Sequence, residues 1–209
     1  MEDYYYRTHL RRDTNNELYA RVNIINPSPI EVQTQLPLDG STNAPITIDY
    51  VHHELHDGDG YYITRAITLG DAGTDEILIV TPAGTKHAHM LLAVSGTGQT
   101  DFLLYEDATR AGGTALTPRN RNRNYADASM LTVTHTPTGG AVGTLIAETL
   151  FGVDAGGGTN RQLSGGASDS RSEFILKSNT KYLMAVTSGT ADNRITIILD
   201  WYEHTDRSM

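Results

Sequence analysis

Histidine pairs, an acid pair beside the only tryptophan, and an arginine-asparagine repeat are the parts of this 209-residue sequence whose types and spacing bear on chemistry. His87 and His89 stand two apart, so in a strand both imidazoles share a face, the spacing by which a β-barrel presents two metal ligands. The glutamate that such a site takes as third ligand, four or five residues further on, is replaced by Ala93 and Val94. His52, His53 and His56 lie close to Asp57 and Asp59, yet the Asp-Gly-Asp-Gly run from Asp57 to Gly60 reads first as turn chemistry. Asp200 and Glu203 in LDWYEH offer two carboxylates of the kind that hydrolyse a glycosidic bond. At the end of the last strand the same Trp-Tyr pair reads as a core anchor with a polar rim. The sequence holds no nucleophile elbow, phosphate loop or dinucleotide fingerprint, since Gly156, Gly157 and Gly158 do not lie between a strand and a helix. The expectation is a protein without catalytic residues, cofactor or bound metal.

The repeat, Thr117 to Tyr125 (TPRNRNRNY), concentrates positive charge in an otherwise acidic chain. In an extended conformation Arg119, Arg121 and Arg123 line one face, with Asn120, Asn122 and Asn124 on the other. A guanidinium presents a planar fork of donors that grips a carboxylate or several carbonyls. Such a ladder can hold an acidic protein neighbour, a carboxylate-bearing sugar, or its own fold through asparagine side-chain to backbone bonds. A second candidate surface lies at the N-terminus, where Tyr4, Tyr5 and Tyr6 precede Arg7, Arg11 and Arg12. A tyrosine buries an apolar ring while keeping a hydroxyl at a wet rim.

The elements that must position these groups are strands. Runs at 17–26, 30–36, 45–55, 61–69, 76–82, 87–94, 100–106, 130–136, 142–151, 173–177, 181–186 and 195–202 are β-branched or alternate with period two, with Gly, Asp, Asn or Pro between them. That rhythm predicts one antiparallel β-sandwich, jelly-roll-like, over residues 17–209, preceded by an extended N-terminal arm over 1–16. Asp-Gly pairs between 45–55 and 61–69 predict a hairpin. Two stretches break the rhythm: 108–128, which carries the ladder, and the Gly/Ser-rich 154–170. Long loops of this kind are usually functional or mobile.

Composition narrows the function classes. A net charge of −9 argues against nucleic acid as partner, because phosphate binding rests on a basic stripe. Apolar residues make up 38 %, so the core is expected to be modest and part of the stabilising surface to lie between subunits. There is no cysteine, hence no disulfide to compensate. No run of eighteen apolar residues and no apolar signal core is present, so neither a membrane partner nor export by a visible signal is expected.

The segment Phe102 to Asn124 (FLLYEDATRAGGTALTPRNRNRN) is preceded by ILIVTPAGTKHAHMLLAV. It is followed by HTPTGGAVGTLI, SEFILKSNTKYLMAV and LDWYEH. Together these resemble head decoration, or cement, proteins of tailed bacteriophages, over roughly residues 48–204. The resemblance implies a β-sandwich on the capsid exterior, assembled in the host cytoplasm, that acts as a homotrimer and clamps neighbouring major capsid subunits. The residues themselves suit such contacts: rigid aromatic anchors in Tyr4, Tyr5 and Tyr6 with Arg7, and the orienting charge of Arg119, Arg121 and Arg123, are the expected subunit or capsid contacts. Similar sandwiches occur in tail fibres and baseplates, which leaves a receptor- or glycan-binding module as the alternative.

Overall fold

Residues 6–12, 18–24, 31–35, 50–152 and 173–205 are described by the computed structural model, whose chain divides into two compact units, 1–49 and 50–209. The first unit contains β1 (Tyr6–Arg12), β2 (Leu18–Ile24) and β3 (Glu31–Gln35), an antiparallel sheet in the order β1-β2-β3. The segment expected as an extended arm is therefore extended over Tyr6–Arg12 but paired, with Tyr6 opposite Ile24 and Arg7 opposite Asn23. Closing so short a connection costs little chain entropy. Pairing with β2 satisfies the backbone groups that a bare arm would leave to water.

The second unit is a sandwich of two antiparallel sheets. Its strands are β4 (Gly60–Leu69), β5 (Thr74–Val80), β6 (Lys86–Gly96), β7 (Thr100–Glu106), β8 (Thr114–Ala115) and β9 (Arg119–Asn120). They continue with β10 (Thr132–His135), β11 (Thr144–Phe151), β12 (Phe174–Ile175), β13 (Lys181–Ser188) and β14 (Asn193–Thr205). One sheet has the order β11-β7-β13-β5-β10-β8 and the other β12-β6-β14-β4-β9. Period-two alternation decides which side chains meet between them. From β14 come Ile195, Ile197, Leu199 and Trp201; from β13, Tyr182, Met184 and Val186; from β5, Ile77 and Ile79; from β7, Phe102 and Leu104. A smaller cluster, Leu78, Ala108 and Leu183 with Val80, Tyr105 and Val142, lies on the outer face of the six-stranded sheet. Among the described residues no helix is long and apolar enough to cross a membrane.

Two expectations about local structure are corrected. Residues 45–55 were expected to be a strand, but Tyr50–Asp57 forms a helix, α1. Its sequence is short of β-branched residues and ends in the histidine and glycine that suit a helix C-terminus. Gly58, at φ +85°, closes it, with Gly58 N–H donating to Leu55 C=O at 3.3 Å and Asp59 N–H to Glu54 C=O at 3.0 Å, the paired bonds of a Schellman cap. The Asp-Gly pair that signals a hairpin is thus spent as a helix stop. In the second unit β4 to β7 alternate between the two sheets, so the turn at 70–73 is an arch across the sandwich. Hairpin signals specify a reversal of direction, not which sheet receives the next strand.

Candidate interaction surface

Only part of the arginine-asparagine repeat is a strand. Arg119 and Asn120 form β9 at the edge of the five-stranded sheet, with Asn120 opposite Tyr61 and Arg119 opposite Tyr62. Beyond Asn120 the chain turns, so the three arginines do not form the straight ladder that alternation predicts. The asparagines cause the turn. Asn120 is buried and its Nδ2 donates to Gly58 C=O at 2.5 Å, while its Oδ1 accepts from Asn122 N–H at 2.8 Å. Asn122 Oδ1 accepts from Asn124 N–H at 3.2 Å, repeating the motif, and Asn122 Nδ2 reaches the His56 carbonyl at 3.0 Å. Side-chain amides have replaced ladder partners here, the competition that short polar side chains bring to any backbone.

The arginines separate into different roles. Arg121 forms a two-pronged ion pair with Asp200, Nε donating to Oδ1 at 2.8 Å and Nη2 to Oδ2, and its guanidinium lies 4.9 Å from the centroid of the Tyr62 ring. Hydrogen bonding to Asp200 raises its pKa above the ordinary guanidinium value, more than burial lowers it. Arg123 donates to the Asn120 carbonyl at 3.2 Å and so closes its own turn. Arg119 is exposed and borders a cleft of about 300 Å³ with Tyr62, Ile63, Thr64, Leu116 and Thr117. Of the N-terminal candidates, Tyr6 and Arg7 occupy register positions in β1, and Tyr4 and Tyr5 lie outside the described residues.

The acid pair of LDWYEH does not converge. Asp200 lies on the outer face of its sheet with Arg121, and Glu203 on the inner face, where it is 1 % exposed. There the Glu203 carboxylate accepts from Ser129 Oγ at 2.5 Å, Met130 N–H at 3.1 Å and Trp201 Nε1 at 3.0 Å. Trp201 also stacks on Tyr61 at 6.0 Å between centroids. The motif is a core anchor, and its second acid pins the end of the 108–128 loop to the sheet.

His87 and His89 share the outer face of β6, as their spacing predicts, opposite His204 and Tyr202 of β14. His89 Nδ1 lies 2.5 Å from Glu173 Oε1 and 3.1 Å from the Tyr202 hydroxyl, with the His89 and Tyr202 rings stacked at 4.7 Å. Glu173 and His204 are far from the HxH pair in sequence, and only strand register brings them in. Among the described residues no group of three or more His, Cys, Asp or Glu is arranged to hold a metal ion.

The remaining feature of the surface is β11, at the edge of the six-stranded sheet. Leu145, Ile146 and Leu150 are 45 %, 39 % and 63 % exposed, and among the described residues no strand pairs with its outer edge. An apolar edge with unpaired backbone groups is a template for another chain. The bulge between Leu145 and Ala147 and the single charge of Glu148 blunt it only in part. Sequence reasoning placed this strand but not its exposure: the run TLIAETLF carries apolar residues at both parities, the one available sign that more than the inner face seeks a partner.

Set against models of protein families, curated proteins and solved structures, the chain matches none.

Proposed function

We propose that the protein is a structural component of a bacteriophage virion, one that binds the outer capsid surface and stabilises the shell by bridging major capsid subunits, as a homotrimer. The observation that carries the reading is the β11 edge, where Leu145, Ile146 and Leu150 stand exposed on a strand whose outer edge pairs with no strand among the described residues. A shell-binding protein needs contact area and a sheet edge that a neighbouring chain can extend, and main-chain bonds plus alternate apolar side chains supply both. Many copies on one symmetric shell then gain by avidity what each contact lacks singly. The segments that resemble cement proteins, Phe102 to Asn124 above all, support the same reading, as does the β-sandwich.

The experiment is occupancy on particles. Purified protein is added to capsids stripped of it and the bound copies are counted by cryo-electron microscopy. Leu150→Lys, which puts a charge on the exposed edge without touching the core, is expected to lower occupancy at least tenfold at unchanged thermal midpoint. Full occupancy with this variant removes the edge from the interface, and absence of the wild-type protein from the shell overturns the reading itself. A second reading, a glycan-binding tail module, is favoured by the cleft beside Tyr62 and Arg119, an aromatic face next to a cation. Binding of acidic glycans that is lost on Arg119→Ala decides for it.

A further inference from the structure

Helix α1 carries two histidines one turn apart whose rings meet. His52 Nε2 and His56 Nε2 lie 2.9 Å from each other, their ring centroids are 4.6 Å apart, and the ring planes are inclined at 59°. Both side chains are exposed. The approach is set by the helix, because residues at i and i+4 stand one above the other on the same face. The helix is in turn held at several points. Glu54 is buried beneath it, the Schellman cap at Gly58 ends it, and Asn122 Nδ2 bonds the His56 carbonyl at 3.0 Å. The third histidine faces elsewhere: His53 Nδ1 lies 3.3 Å from Asp57 and 3.7 Å from Glu54.

We propose that His52 and His56 form a two-nitrogen chelating site for a divalent transition-metal cation that favours right-angled coordination, Cu(II) or Ni(II). The distances are those of a chelate. Two imidazole nitrogens bound at about 2.05 Å and at right angles lie about 2.9 Å apart, and their ring centroids about 4.5 Å apart. A tetrahedral centre needs the nitrogens wider, at about 3.4 Å, so the bite disfavours Zn(II). At this separation an Nε2–H tautomer of one ring donates to the bare Nε2 of the other. On binding, that proton moves to Nδ1 of the same ring and the metal takes both Nε2 lone pairs, with no net proton released by the two neutral rings. Water fills the other positions, in keeping with the lack of a third ligand group among the described residues. The site stands apart from the β11 edge in sequence and in chemistry, and it does not depend on the virion reading.

The test uses the full chain with Cu(II), Ni(II) and Zn(II) salts, by isothermal titration and, for Cu(II), electron paramagnetic resonance. One equivalent of Cu(II) is expected to give an axial spectrum with imidazole nitrogen coupling, and Ni(II) to bind at least threefold more tightly than Zn(II). His52→Ala or His56→Ala lowers the Cu(II) affinity at least tenfold, while His53→Ala and the double variant His87→Ala/His204→Ala leave it within twofold. Cu(II) and Ni(II) also raise the thermal midpoint of the wild type, since they bind the folded helix, and do not raise that of His56→Ala. Wild-type Cu(II) affinity in the His52→Ala/His56→Ala double variant overturns the assignment, as does absence of binding at millimolar metal. Tighter binding of Zn(II) than of Ni(II) overturns the right-angled geometry.

Discussion

Replacing Arg121 with alanine separates the two roles an arginine-asparagine repeat can play. In the isolated protein the change removes a two-pronged bond to Asp200 and a contact with the face of Tyr62. Both partners of the ion pair are partly solvated, at 39 % and 32 % side-chain exposure, so screening holds the pair to about 0.5–1 kcal/mol in spite of its good geometry. The cation over the ring adds about 0.5–1 kcal/mol. The expected loss is therefore about 1–2 kcal/mol, a fall in thermal midpoint of roughly 2–8 °C for a unit of this size. Arg121→Lys keeps the charge but loses the planar fork, and falls between. A double-mutant cycle with Asp200→Asn is expected to return a coupling of about 0.5–1 kcal/mol that shrinks in 1 M salt. An unchanged midpoint together with zero coupling refutes the brace and returns Arg121 to the surface as a residue awaiting a partner. On particles, a lowered midpoint with normal occupancy assigns Arg121 to the fold and leaves Arg119 as the arginine of the repeat open to an external ligand.

Glu203→Ala strands three donors, from Ser129, Met130 and Trp201, in a site closed to solvent, and is expected to cost about 3–5 kcal/mol in a denaturant titration, whereas Glu203→Gln, which retains one acceptor, costs about 1–2 kcal/mol. A glutamine variant less stable than the alanine variant contradicts the acceptor role. At alkaline pH, burial first, and then the neighbouring carboxylates, push Tyr61 up to about 12; burial, and Glu106 after it, do the same for Tyr182. Because the folded pKa values lie above the unfolded value of about 10, this stability is complete below pH 10 and drains away between pH 10 and 12, by about 2–3 kcal/mol for each tyrosine. Phenylalanine at position 61 or 182 should flatten that limb. On the acid side, the Lys177 ammonium holds the Glu106 carboxyl below its ordinary value. Its contribution is present above the usual carboxylate range and fades as pH falls through the depressed pKa, so Glu106→Gln should lessen the acid sensitivity of the midpoint.

Strand identity was legible from local pattern. The alternation in ITIILDW places Ile195, Ile197, Leu199 and Trp201 on one face whatever the partner, because the side-chain period of an extended chain is fixed by covalent geometry. The same rule put His87 and His89 together. Patterns with two physical meanings misled: Asp-Gly after 45–55 serves a hairpin or a helix cap equally well, and only the packing of α1, with Tyr125 lying against Gly58, selects the cap. Likewise, alternating Arg and Asn give a ladder in a strand, but Asn120 and Asn122 bond the backbone two residues on and turn the chain instead. Long-range partners were beyond reach. Arg121 meets Asp200, and His89 meets Glu173, because of strand order and register across many intervening residues. No local propensity encodes those, since they follow from which sheet each crossing strand joins. Exposure of Leu150 is of the same kind: the residue is apolar in the sequence, and it is the edge position of β11 in the sheet that leaves it facing water.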